Sequence, residues 1–331
     1  MTTRRQGSLS LVATLLVAAC TVGPPYERPE VKLPAAYFRA PADTSASIAD
    51  VAWWQVFDDP GLVVLIREAL SDNLDLRIAA AQIVQAQAQV AAARSPIFPQ
   101  VSAQASAARG NQNPAFITTS SFAAALALSW ELDLWGKIRR GVEAEEALVL
   151  AAEEGRRAVV VSVVGEVARV YFEMRDLDAR AELARATVVS RRAYVDLAEI
   201  RFRGGVTSEL DFRQAQSELG RTQSILADLE RQGREKENEL SILLGRPPEA
   251  RARGLAVESM PLPPAVPAGL PSQLLERRPD LRAAEQQLVS ANARIGEAKA
   301  LMYPQISLTA VGGFQSTDAS NFLTSSAGWF W

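Results

Sequence analysis

Two of the side chains that carry most enzymatic chemistry, histidine and cysteine, are nearly missing from this sequence. Its 331 residues include no histidine, which removes the commonest metal ligand and the commonest general base at neutral pH. A zinc site and a Ser-His-Asp triad are therefore excluded. The one cysteine, Cys20, can neither close a disulfide within the chain nor build a metal cluster. Carboxylates remain, but Glu143, Glu145, Glu146, Glu153 and Glu154 run along one helical segment, where a solvated charged face is the ordinary outcome. The 35 basic and 38 acidic residues give a formal net charge of -3, so no concentrated basic surface for nucleic acid is expected. The chemistry left to the chain is that of Cys20 as an attachment point and of apolar faces that need a partner.

The position of Cys20 gives it meaning. Arg4 and Arg5 form a basic start, Leu9 to Ala18 an apolar core, and Ala18 and Ala19 directly precede the cysteine. About ten apolar residues are too few to span a bilayer but suit a secretion signal. Val17-Ala18-Ala19-Cys20 resembles the lipobox of bacterial lipoproteins. That resemblance implies removal of residues 1–19 and acylation of the Cys20 thiol, with palmitate among the attached chains. Thr21, rather than Asp, follows the cysteine, as in lipoproteins sorted outward. Elsewhere no apolar run reaches the length of a transmembrane helix.

The elements that must position such an anchor are written twice. Asn73-Leu-Asp-Leu-Arg-Ile opens an alanine- and glutamine-rich tract ending at Phe98-Pro99-Gln100-Val101-Ser102. Arg278-Pro-Asp-Leu-Arg-Ala opens a similar tract ending at Tyr303-Pro304-Gln305-Ile306-Ser307. Subtracting Asp75 from Asp280 and Pro99 from Pro304 gives the same offset, 205 residues, without a gap. Each copy reads as helix, then strand. Pro279 suits the first helical position, and Pro96 and Pro99 end the first copy's helix. From Phe122 to Trp135 the pattern turns to period two: Phe122, Ala124, Leu126, Leu128, Trp130, Leu132 and Leu134 alternate with Ala123, Ala125, Ala127, Ser129, Glu131 and Asp133. Alternation of that kind puts the two sets on opposite faces of a strand. With Val101 to Arg109 and the turn-rich Gly110 to Ala115, it predicts a β-hairpin over 98–135. Strands of about ten residues can cross an outer membrane when tilted, although a soluble sandwich hairpin shares the pattern.

The helical pattern then runs long. No proline lies between Gly141 and Arg203, and Val160, Val163, Val164, Val167, Val170 and Tyr171 recur at three- and four-residue steps, the mark of an apolar stripe. Some sixty residues make a helix of roughly 90 Å. Gly204-Gly205-Val206-Thr207-Ser208 breaks it; Ser208 with Asp211 has capping-box spacing, and Gly245-Arg-Pro-Pro stops the following helix. The result is a long antiparallel helical hairpin over 141–245.

These residues together resemble the outer membrane factors of tripartite RND-type efflux systems, in the NodT-like lipoprotein branch of the TolC-like family. Cys20 to Pro29 is similar to the branch's lipidated start. Trp53-Trp54-Gln-Val-Phe57-Asp58-Asp59-Pro60 is similar to the entry into its first helix. Trp130 to Arg139 matches the descent from barrel to helix, and Arg201-Phe202, Gly205, Ser208, Leu210-Asp211 and Gln214-Ala215 match the tip of the periplasmic hairpin. The resemblance implies a mainly α fold with membrane β: coiled-coil helical hairpins, plus strands that contribute to a trimeric 12-stranded outer-membrane barrel. It divides the chain into a signal (1–19), an extended N-terminal segment (20–59), a first repeat (60–270, with a proline-rich equatorial part at 246–270) and an incomplete second repeat (271–331, with a helix at 279–301). Ala327 to Trp331 reads as the start of a returning strand, so the chain is expected to stop within its second repeat.

The implied function is a passive exit duct for small molecules across the periplasm and outer membrane, with no enzymatic activity and no cofactor. The implied partners are two further copies of the chain, outer-membrane lipid, a periplasmic adaptor that docks at Gly204, Gly205, Val206, Thr207 and Ser208, and, through it, an inner-membrane pump. Phe122, Leu126, Leu128, Trp130 and Leu132 are the expected lipid-facing residues, with Ser129, Glu131 and Asp133 toward the lumen. The rival reading is a periplasmic adaptor-like lipoprotein, a binding module with a single hairpin.

Overall fold

The computed structural model describes residues 21–34, 54, 57–111, 118–250, 253–260, 275–321 and 328–330. The signal segment, Cys20, most of the stretch from 35 to 56, the hairpin turn at 112–117 and the proline-rich 261–270 lie outside the described residues. Among the described residues five long helices and four strands follow in chain order: α1 Pro60–Asp72, α2 Leu74–Arg94, β1 Gln100–Asn111, β2 Thr118–Leu132, α3 Lys137–Arg203, α4 Glu209–Leu243, α5 Pro279–Ala300, β3 Ile306–Ser316 and β4 Gly328–Phe330. They group into two compact units, one holding residues 32–81 and 154–280, the other 1–31, 82–153 and 281–331.

The first unit owes its core to the stripe on α3. Val163, Val164, Val167, Val170 and Tyr171 are buried together with Met174, against Leu62, Ile66 and Ala69 of α1 and Leu240 and Leu244 at the end of α4. Positions 62, 66 and 69 recur at helical steps, so α1 offers one apolar face. Asp59 starts α1: its side chain accepts from the Gly61 and Leu62 amides, with Pro60 at the first turn. The same carboxylate accepts the Tyr171 hydroxyl. A Cβ on Gly254 would collide with that hydroxyl, so glycine lets the connecting segment lie directly on the buried pair. Asn73 joins α1 to α2, donating to the Leu243 carbonyl at 2.8 Å and accepting from the Leu76 amide at 3.1 Å.

Further along the α3–α4 hairpin, Leu177, Ala181 and Ala184 pack on Leu229. Arg169 of α3 bonds Glu166, Glu173 and Glu239, while Lys236 of α4 pairs with Glu173 at 2.8 Å and Glu239 at 2.7 Å. Lys236, and after it Arg169, hold the Glu173 carboxyl below its ordinary value of 4.5, and Arg169 does the same for Glu166. A depressed folded-state value means that the stabilisation is complete above the unfolded value and is lost as pH falls through the folded one. Acidification from about pH 5 to about pH 3 is therefore expected to lower the hairpin's melting temperature, and Glu173→Gln to flatten that dependence. Thermal melts of the two proteins across that range check this.

In the second unit the strands form one antiparallel sheet in the order β1-β2-β3-β4. β2 of the first repeat pairs with β3 of the second, Phe122 opposite Ser316 and Leu132 opposite Ile306, so the sheet joins the repeats edge to edge. The alternation read to Leu134 ends at Leu132 in the structure, and the strand begins earlier, at Thr118. After it the chain turns, with the Leu134 amide donating to the Leu132 carbonyl at 2.8 Å. The segment after Cys20 is fastened here: the Val22 amide donates to the Trp135 carbonyl at 3.1 Å, and Asn292 of α5 donates to the Pro24 carbonyl at 3.1 Å.

Candidate membrane-spanning sheet and helical tip

Residues that face each other across antiparallel strands put their side chains on the same side, so the register sorts the sheet. Leu128 lies between Val101 and Ala310, Leu126 between Ala103 and Gly312. Trp130 faces Leu308, Leu132 faces Ile306, and Phe122 faces Ala107. One face thus carries Phe122, Leu126, Leu128, Trp130 and Leu132 with Val101, Ile306 and Leu308; toward its far end Arg109, Ser120 and Ser316 share it. On the other face Ser129 lies between Gln100 and Thr309, Ala127 faces Ser102, Ala125 faces Gln104, and Glu131 faces Ser307. Val311 is a large apolar residue on that polar side.

The large residues do not enter a core. Leu126 is 61% exposed and Val101 68%, with Leu128, Ile306 and Leu308 also exposed. A soluble sandwich would bury that face, because a sheet's apolar side must find a packing partner; here the large side chains are turned out. Among the described residues no helix is long and apolar enough to cross a membrane.

Of the three residues expected toward the lumen, Ser129 and Glu131 share the polar face of the sheet and Asp133 does not. Ser129 is exposed on the polar face. Glu131 shares that face and pairs with Lys137 at 2.6 Å. Asp133 lies beyond the strand. Its carboxylate accepts from the Ile138 and Arg139 amides at 3.1 and 3.0 Å and contacts the Arg139 guanidinium at 3.3 Å. The first amides of a helix lack partners and favour negative charge, so Asp133 closes the start of α3 instead of lining a pore.

At the other end of α3 the turn is tightly specified. The Gly204 amide bonds the Ile200 carbonyl, Gly205 bonds Phe202 and Val206 bonds Arg201, all within 3.0 Å. Gly205 has φ +71°, a left-handed conformation that closes the helix at little cost only with glycine. Ser208 accepts from the Asp211 amide at 3.2 Å while Asp211 accepts from the Ser208 amide at 3.3 Å, a reciprocal cap. Phe202 and Phe212 stack beneath the turn with centroids 5.8 Å apart. Val206, 76% exposed, and Leu210 point outward. Beside them lies a groove of about 300 Å³ lined by Tyr194, Leu197, Arg201, Thr207 and Asp211 among others. Ser208→Ala is expected to destabilise the hairpin by about 1 kcal/mol, and a urea melt followed by circular dichroism measures it.

Val101 and Leu308 join the apolar face only through pairing across strands, although the alternation Ile306, Leu308, Ala310 hinted at it. The fold is mainly α with a β-sheet whose large side chains face outward, and its elements define an outer-membrane channel protein. The outer membrane efflux protein family matches residues 65–246 and 270–329. Over 335 residues the chain is 35% identical to a probable efflux pump outer membrane protein, TtgC of Pseudomonas putida, with 97% of this chain and 69% of the relative aligned. It is 32% identical over 328 residues to the cation efflux system protein CusC of Escherichia coli, covering 97% and 70%. The open state of the Neisseria gonorrhoeae MtrE outer membrane channel superposes with a TM-score of 0.77 at 31% identity, over 94% of this chain and 71% of that one. The chain belongs to the outer membrane efflux protein family. Its place is the outer membrane, as a channel component of an efflux pump.

Proposed function

We propose that the chain is one protomer of a passive, trimeric exit duct, and the register-sorted sheet is the observation that carries this reading. β1 and β4 are the outer strands of the sheet. In lipid an open edge leaves backbone groups unsatisfied, and neighbouring copies supply the missing partners, four strands each, to close a 12-stranded barrel. Leu126 and its neighbours then meet acyl chains, and the face of Ser129, Gln104 and Thr309 keeps the lumen wet. Cys20 carries the acyl anchor. Gly204 to Ser208 form the tip at which a periplasmic adaptor docks, with Val206 and Leu210 as the apolar contacts. The duct performs no reaction and needs no cofactor; energy reaches it from an inner-membrane pump through the adaptor. The family match favours this over the adaptor-like reading, as does the pairing of strands from two repeats in one sheet. Purified protein inserted into planar bilayers is expected to give stepwise conductance. Protein that assembles in the bilayer and never conducts would overturn the proposal.

A further inference from the structure

The polar face of the sheet is almost free of charge. Every second residue from Gln100 to Gly110 on β1, from Ser121 to Glu131 on β2 and from Ser307 to Gln315 on β3 shares that face. Among these described residues Glu131 is the one ionisable side chain; the rest are serine, threonine, glutamine, alanine and glycine, with Val311. Such a face is wettable without attracting either sign of ion. Fixed charge on a pore wall is what sorts ions by sign, and on this wall Glu131 is the residue that would supply it.

Glu131 does not stand alone. The Lys137 ammonium lies 2.6 Å from one carboxylate oxygen and donates to the other at 2.8 Å, so both oxygens meet the same cation. The Glu131 and Lys137 side chains are 29% and 25% exposed, so the pair borders water and is not sealed in a core. Lys137 opens α3, whose first turn holds no acidic residue. A helix start favours negative charge and disfavours a cation, so Lys137 gains nothing from its own helix there. What it meets is the Glu131 carboxylate, six residues earlier. The cations that follow it engage other carboxylates: Arg139 contacts Asp133 at 3.3 Å, and Arg140 contacts Glu143 at 2.8 Å. Lys137 is therefore the residue that cancels the charge of Glu131.

We infer that Lys137 is a selectivity-setting residue: by neutralising Glu131 it keeps the sheet's lumen face free of net fixed charge, so that cations, anions and uncharged solutes pass it without sorting by sign. This rests on the reading of the chain as a protomer of a trimeric duct, in which the pair repeats around the lumen as a ring of zero net charge. The test is the reversal potential of the full-length protein in planar bilayers under a KCl gradient. Lys137→Gln unmasks the carboxylates and is expected to raise the permeability of potassium relative to chloride by about twofold or more. Glu131→Gln is expected to move the ratio the other way, and the double variant to return it to that of the unmodified channel. Raising KCl from about 0.1 M to about 1 M shortens the screening length from about 10 Å to about 3 Å, so both shifts should shrink. Channels that conduct with an unchanged reversal potential in both single variants overturn the inference and leave the duct standing. Single variants that no longer assemble make the pair a structural staple and overturn it as well. If the unmodified protein assembles in the bilayer and never conducts, the duct fails and the inference with it.

Discussion

Leu126→Arg is expected to destabilise the membrane-inserted fold by about 2–4 kcal/mol, the cost of a guanidinium at the lipid face near the bilayer midplane. Ala127→Arg, one residue on, is expected to be tolerated. Leu126 sits near the middle of β2, flanked by Ala103 and Gly312. Neither neighbour is large enough to shield the charge or polar enough to bond it. Ala127 faces Ser102 on the side with Ser129 and Gln104, where water can solvate the guanidinium. Folding into vesicles across a urea series measures both variants. The asymmetry matters more than either value, because a soluble sheet exposed on both sides would accept arginine equally at the two positions.

The second large effect lies at the start of α1. Asp59 is 1% exposed and Tyr171 is fully buried. One carboxylate oxygen accepts from the Gly61 and Leu62 amides at 2.8 and 3.4 Å, and the other accepts the Tyr171 hydroxyl. Burial, then the hydrogen bond to Asp59 and its charge, raise the Tyr171 phenol well above its ordinary value, so it stays a neutral donor. Asp59→Ala removes a helix cap, about 0.5–2 kcal/mol, and strands a buried hydroxyl, about 1–3 kcal/mol. Together these predict a loss of about 1.5–5 kcal/mol. Tyr171→Phe leaves the carboxylate its two amide donors and is expected to cost only about 0.5–1.5 kcal/mol. The double variant should be more stable than the sum of the two losses implies, since with Asp59 gone the hydroxyl is a burden. Chemical denaturation of the four proteins in the cycle decides this; strict additivity would show that the contact does not couple the two residues.

Much of this architecture was legible because its signals are local and periodic. Period two from Phe122 to Leu132 and the valine stripe from Val160 to Val170 each announce an element and the face that its large residues share. Ser208 with Asp211, and Gly245 before Arg246, announce where helices start and stop. The structure supplied what depends on distance along the chain. Asp59 and Tyr171 are 112 residues apart, and nothing near either shows that they meet. The pairing of β2 with β3 joins two repeats, whereas a hairpin pattern describes only one. Asp133 was misjudged because alternation was carried past the strand end; Gly136, with φ +79°, lets the chain turn there, and the carboxylate serves the helix that follows. The tip residues Gly204 to Ser208 were legible as a turn with a cap.

A cysteine scan along β2 from Phe122 to Glu131, in protein reconstituted into vesicles, tests most directly whether one side of this sheet meets lipid and the other water. Labels at 122, 124, 126, 128 and 130 should be quenched by nitroxides in the acyl chains, and thiols at 123, 125, 127, 129 and 131 should react with a membrane-impermeant maleimide. Equal reactivity of both sets with the maleimide, or shielding of the even-numbered set from maleimide and nitroxide alike, would mean that the sheet does not border a membrane.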